Sequence, residues 1–221
     1  MKKALQGYRH LNQKYRILGM SWQMIMSLSL VVTAFVLALV FPQRPWRWWC
    51  LLAMGLSFLG DILLTPGSIL VRNYHGDPLP LGGTAFALAH VAYILCFWVK
   101  TEQCGGFSPA AIAFGGLLYV LAAIALVFHH QANEKSKRNY LLLIGMLAYA
   151  AVICLNCTFI FASALAVRTI FGWLTVAGAV SFYISDAILL CGAIGPYKIE
   201  YYDEWIWVFY PLGQFLLVAF A

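Results

Sequence analysis

Apolar runs of close to twenty residues recur along this chain, each closed by a short polar, glycine- or proline-containing segment. About twenty apolar residues wound as a helix cross the hydrocarbon of a bilayer, where only helices and closed barrels leave no backbone group unpaired. The runs read as about seven spans, with eight as the alternative count. They extend from Ile17 or Trp22 to Phe41, Trp46 to Leu64, Leu81 to Val99, Pro109 to Phe128, Tyr140 to Leu165, Thr169 to Cys191 and Glu204 to Phe220. Pro42-Gln43-Arg44-Pro45 breaks the first run and Pro66-Gly67 ends the second, while Trp46, Trp48 and Trp49 stand where aromatic side chains mark a membrane interface. The expected fold is all-α, a polytopic transmembrane helix bundle. Residues 1–16 form a basic cytoplasmic tail, and 17–221 are expected to make a single transmembrane domain.

Composition supports this class. Of 221 residues, 63% are hydrophobic and only 10% charged, against about 25% charged in a soluble domain. The net charge of +6 does not point to nucleic acid, because the basic residues lie in the tail and loops, where they encode orientation. The basic N-terminus leads into a run too long and too poorly terminated for a cleavable signal peptide. Five of the six cysteines, Cys50, Cys96, Cys154, Cys157 and Cys191, fall in or at apolar runs, so no disulfide framework is expected. Cys104 is expected in a loop, and Cys154 and Cys157 read as packing residues.

Within this frame two acids stand out. Asp61 lies three residues inside the end of its run, in Ser57-Phe58-Leu59-Gly60-Asp61, and Asp186 follows Ser181-Phe182-Tyr183-Ile184-Ser185. A small residue precedes each acid and aliphatic residues follow. A carboxylate in hydrocarbon costs about 2.5–3.5 kcal/mol even on translocon-insertion scales, so such an acid marks function by default. With the N-terminus inside, ten basic residues face the cytoplasm: the tail's Lys2, Lys3, Arg9, Lys14 and Arg16, with Arg72, Lys135, Lys137, Arg138 and Lys198. Arg44, Arg47, Lys100 and Arg168 face out. In that orientation both acids sit toward the cytoplasmic end of inward-running spans, at similar depth.

Helical periodicity adds partners. Gly83, Phe86, His90 and Tyr93 share a face of the third span, Asp203, Trp207, Tyr210 and Gln214 a face of the last, and Tyr149 and Asn156 one side of the fifth. Such faces turn inward because lipid cannot satisfy them. Asn156 and Gln214 fit the simpler role of helix–helix contacts better than that of site residues.

The ordered elements Gly60-Asp61, Phe86-x-x-x-His90-x-x-Tyr93 and Ser185-Asp186 resemble those of the lysoplasmalogenase, or YhhN-like, family of multi-pass membrane proteins. The resemblance covers most of the chain from the second span onward. It implies hydrolysis of the vinyl ether bond of lysoplasmalogens to a fatty aldehyde and glycerophospho-ethanolamine or -choline, without a cofactor. It also implies Asp61 and Asp186 as the catalytic pair, with His90 and Tyr93 in the site; Phe86, on the same face of the third span, and Tyr210 and Gln214, on the inward face of the last, are further candidates for binding the substrate. The expected partners are a lysophospholipid and the bilayer, with no nucleic acid; the expected location is the cell membrane, the inner one in a bacterium.

The chemistry suits these residues independently. A vinyl ether is cleaved by protonating its β-carbon, which leaves an oxocarbenium ion for water to attack. Burial disfavours the charged form of a carboxyl, and a second carboxylate nearby does the same. One acid then donates while its ionised partner steadies the cation or activates water, as in glycosidases. Arg72, Tyr74, His75 and Lys198, in inside loops, are candidate phosphate contacts, although ordinary positive-inside residues look the same. Other classes fit part of the pattern. A proton-coupled transporter of small molecules or lipids also buries carboxylates, usually with broken helices in two halves. A metal-dependent hydrolase would use His75, His90, Asp61 and Asp186, without a recognisable ligand spacing. A seven-span receptor has the same outline. The charge bias predicts that a reporter fused to the C-terminus reads as non-cytoplasmic; a cytoplasmic reading would reverse the topology.

Overall fold

A computed structural model describes residues 22–65, 77–134, 139–195 and 200–221. Seven helices follow one another there, with no strand among the described residues: α1 (Trp22–Val40), α2 (Trp46–Leu64), α3 (Leu79–Cys104), α4 (Ala110–Ala132), α5 (Tyr140–Val167), α6 (Ile170–Ile194) and α7 (Tyr202–Phe220). Helices α1 to α6 are long and apolar enough to cross a membrane, so this is a multi-pass helical membrane protein. The last helix, α7, matches α1 and α2 in length but carries Asp203 and Glu204 in its first turn and Pro211 within it.

Local chemistry sets the ends. Pro45, Pro78 and Pro109 stand at the helix starts of α2, α3 and α4, where the missing N–H is no loss. The Asn139 side chain accepts from Leu142 N–H at 3.0 Å and Thr169 Oγ1 from Gly172 N–H at 3.3 Å, capping α5 and α6. Helix α3 outruns the expected third span at both ends and takes in Cys104, which is exposed but helical rather than in a loop. Gly105, at φ 138°, closes it in a conformation that side chains disfavour.

The helices form a ring in the order α2, α3, α5, α6, α7 and back to α2, while α1 packs over the α2–α7 seam and α4 over the α5–α6 seam. Helices α2 and α6, which carry the two acids, are not neighbours in the ring. Contacts along α7 fix the register: Gln214 meets Ser57 and Tyr210 meets Asp61 on α2, while Ser181 and Ser185 of α6 donate to the carbonyls of Phe209 and Ile206. Both α2 and α6 therefore run antiparallel to α7 and parallel to each other.

Small residues bring the ring together. A Cβ on Gly213 would lie 2.8 Å from the Gly178 carbonyl oxygen and the Phe182 nitrogen, so the α6 and α7 backbones are in direct contact. A Cβ on Gly60 would lie 2.7 Å from the Phe86 ring, which explains the glycine before Asp61. On α3 it is Gly82, against Leu64, that packs tightly; Gly83 has open space.

Two cations counted from the sequence as outside charges are buried. Arg47 donates to the carbonyls of Val218 (2.6 Å) and Ala219 (3.4 Å), and Lys100 to that of Phe220 (3.1 Å). They satisfy the last carbonyls of α7 and oppose its dipole, which apolar periodicity could not reveal. Of the tryptophans expected at the interface, Trp46 is buried, whereas Trp48 and Trp49 are exposed. The basic tail, Arg72, Tyr74, His75, Lys135, Lys137, Arg138 and Lys198 lie outside the described residues.

Gly213→Ala should destabilise the bundle by about 1–3 kcal/mol, since backbone rather than a movable side chain meets the new methyl. Thermal unfolding in detergent would measure this; an unchanged Tm would mean that α6 and α7 are not so close.

Candidate active site

The ring interior holds two carboxyls, each buried and each answered by neighbouring helices. Asp61, on the inner face of α2, accepts from Ser27 Oγ of α1 and from Tyr210 Oη of α7 at 2.8 Å, both on Oδ2. Asp186, on α6, accepts on its own Oδ2 from Tyr149 Oη of α5 at 3.2 Å and pairs there with His90 Nε2 of α3, also at 3.2 Å. Among the described residues neither Oδ1 takes a hydrogen bond. Among the described residues each carboxyl is thus clamped through one oxygen.

His90 is oriented from behind. Its Nδ1 lies 3.0 Å from the Asn156 amide nitrogen, which donates, so the ring proton sits on Nε2 and points at Asp186. Asn156, which the sequence allows to be a simple helix–helix contact, instead sets the tautomer of the histidine. Its Oδ1 is buried without a partner.

Phe182 joins the two acid clusters. The His90 ring packs on it at a centroid distance of 4.7 Å and the Tyr210 ring meets it edge-on at 5.4 Å. Phe86 closes on Tyr210 at 5.8 Å, edge-on, and Trp207 at 5.4 Å. One aromatic wall therefore touches the partner of Asp61 on one helix and the partner of Asp186 on another, although α2 and α6 are not neighbours in the ring. Edge-to-face rings hold such a wall by quadrupole complementarity as well as by area.

Tyr93 and Gln214 occupy a different level. Tyr93 Oη donates to Gln214 Oε1 at 2.5 Å, and Gln214 Nε2 donates to Ser57 Oγ at 3.0 Å. Both are fully buried, and their hydrogen bonds tie α3, α7 and α2 together rather than reaching either carboxyl. Asp203, expected on the inner face of α7, is exposed.

Periodicity thus brings His90, Phe86 and Tyr210 to the acids. It misses Ser27, whose run carries no acid to mark it, and Phe182, one of fifteen phenylalanines. Tyr149 was legible as an inward polar residue, but nothing in its spacing paired it with Asp186. No three His, Cys, Asp or Glu side chains converge as a metal site requires among the described residues, which leave out His75.

The YhhN family model matches residues 20–221. Neither a curated protein nor a solved structure matches the chain significantly.

Gln214→Ala strands Tyr93 and Ser57 and should cost about 0.6–1.7 kcal/mol, the range for hydrogen bonds between membrane helices. The variant should lose more in Tm than in turnover; a turnover defect at unchanged Tm would place Gln214 against the substrate.

Proposed function

Because the chain belongs to the YhhN family, the family of lysoplasmalogenases, we propose that it is an intramembrane hydrolase that cleaves the vinyl ether bond of lysoplasmalogens. The products are a fatty aldehyde and glycerophospho-ethanolamine or -choline. The observation that supports this reading best is the pair of carboxyls held by one oxygen each and joined through the Phe182 wall. Addition of water across a vinyl ether uses a proton donor at carbon and a group that takes the proton of the attacking water, and two buried carboxyls can supply both.

The surroundings divide the roles. Asp61 is held by neutral hydroxyls only, and acts as the acid. Asp186 faces an imidazole N–H and a phenol, donors that suit a carboxylate, and acts as the base. In the first step the Asp61 proton passes to the β-carbon, and the ether oxygen shares the positive charge as an oxocarbenium ion. Asp186 opposes that charge and takes a proton as water adds to the α-carbon. Asp186 then returns its proton to the departing glycerol oxygen while Asp61 takes the hemiacetal hydroxyl proton. The C–O bond breaks, the aldehyde forms, and both carboxyls regain their starting states. Asn156 and His90 act as positioning residues, keeping Asp186 turned inward.

Asp61→Asn and Asp186→Asn should each lower aldehyde release at least about 100-fold, the lower end of what general acid–base catalysis contributes. Asp186→Asn removes a buried charge and should melt no lower than wild type; Asp61→Asn replaces a neutral acid by an amide of the same size and should melt close to it. The double variant should be scarcely worse than either single one, as for residues that act as a unit. Aldehyde measured on purified protein, with and without a chelator, tests the reaction. Near-normal turnover in either single variant would remove the pair from catalysis and favour the proton-coupled transporter.

A further inference from the structure

Outside the carboxyl site, an apolar cleft opens between α4, α5 and α6. Leu121 and Ala122 of α4, Ala150 and Ile153 of α5, and Ala187 and Leu190 of α6 line a cavity of about 60 Å³. A void of about 10–15 Å³ takes one water-sized group, so several methylene groups fit. Leu121, at the mouth, is 52% exposed, while Ala122 and Ala150, at the floor, are 8% and 2% exposed. The cleft therefore opens on the outer side of the bundle, where Leu117, Ile124 and Phe128 of α4 are also exposed. The one hydroxyl on its wall, that of Tyr183, is engaged by the Leu118 carbonyl at 2.8 Å. Among the described residues no charged side chain lines it.

The cleft also abuts the carboxyl site. Ala150 follows Tyr149 on α5 and Ala187 follows Asp186 on α6, so cleft and acid occupy adjoining faces of the same two helices. Ile153 lines the cleft and belongs to the same buried cluster as Phe182 and Tyr210. Tyr149 and Tyr183 pack against both that cluster and the one formed by Ala122, Leu126, Ala150 and Leu190. Tyr149, whose hydroxyl holds Asp186, is thus in contact with both clusters.

We infer that this cleft seats the hydrocarbon chain of a single-chain lipid, entering from the bilayer between α4 and the α5–α6 pair, and brings the bond at the head of that chain beside Asp186. The inference rests on the proposed reaction for its choice of lipid. A hydrocarbon chain is the occupant because the lining is apolar, the mouth lies on the exposed apolar face of α4, and two lining residues, Ala150 and Ala187, directly follow Tyr149 and Asp186.

Two readouts test it. The first is photolabelling of wild-type protein by a non-cleavable saturated-ether lysophospholipid bearing a diazirine in its chain, followed by peptide mapping. Labels concentrated on α4, α5 and α6 around Ala122, Ala150 and Ala187 are expected; labels spread equally over α1 would overturn the inference. The second is chain-length dependence. Ala187→Phe fills the cleft and should raise KM for a long-chain lysoplasmalogen about tenfold, the scale of a misfitted hydrophobic pocket, with much less effect on a short-chain one. Leu190→Ala enlarges it and should shift preference toward longer chains, which keeps the test open if the filled variant folds poorly. Val36→Phe, equally bulky on the exposed face of α1, should change neither. Normal wild-type turnover with unaltered chain preference in both cleft variants would sink the chain site and leave the reaction standing. Labelling at the cleft without any aldehyde from wild type would keep the chain site and remove the reaction.

Discussion

Lipid offers no hydrogen-bond partner, so a carboxyl inside this bundle has to be answered by another helix. Asp61 of α2 is answered from α1 and α7, and Asp186 of α6 from α3 and α5. Six helices are thereby committed to two side chains, and the geometry of the site follows from the same contacts that hold the bundle together. Among the described residues the contacts to each acid fall on one oxygen, Oδ2, so a single edge of each carboxyl is tied into the bundle.

Close approach makes those clamps reachable. Direct backbone contact at Gly178 and Gly213 sets Tyr210 level with Phe182 and Asp61. On the other side, Gly60 admits the Phe86 ring against α2, so the wall continues from α3 to α7. At the far end Arg47 and Lys100 hold the last carbonyls of α7. The helix that carries Tyr210 and Gln214 is thus fixed at its end as well as along its length.

Helices α1 and α4 occupy comparable places, each over a seam of the ring, but they do opposite things. The first contributes a hydroxyl, Ser27, directly to Asp61. The second contributes only aliphatic side chains and leaves a cleft beside Asp186. The polar contact thus lies on the α1 side of the ring and the apolar opening on the α4 side.

Hydropathy alone carried the class of fold, the approximate spans and the two acids, because the cost of burying polar groups in hydrocarbon is written residue by residue along the chain. Periodicity carried His90, Phe86 and Tyr210 for the same reason, since an inward face has to be polar or aromatic at helical spacing. It carried no information about which inward residues meet. Ser27 and Asp61 are 34 positions apart and Asp61 and Tyr210 are 149 apart, and only helix order around the ring brings them together. The split between the Asp61–Asp186 centre and the Tyr93–Gln214 tie is of the same kind, because two polar residues one helical turn apart on α3 face different levels of α7 and α6. Arg47 and Lys100 count as ordinary loop charges until α7 is seen to end against them. Spacing along a helix defines a face; the partner of that face is a property of packing, which depends on glycines, seams and register between segments distant in the chain.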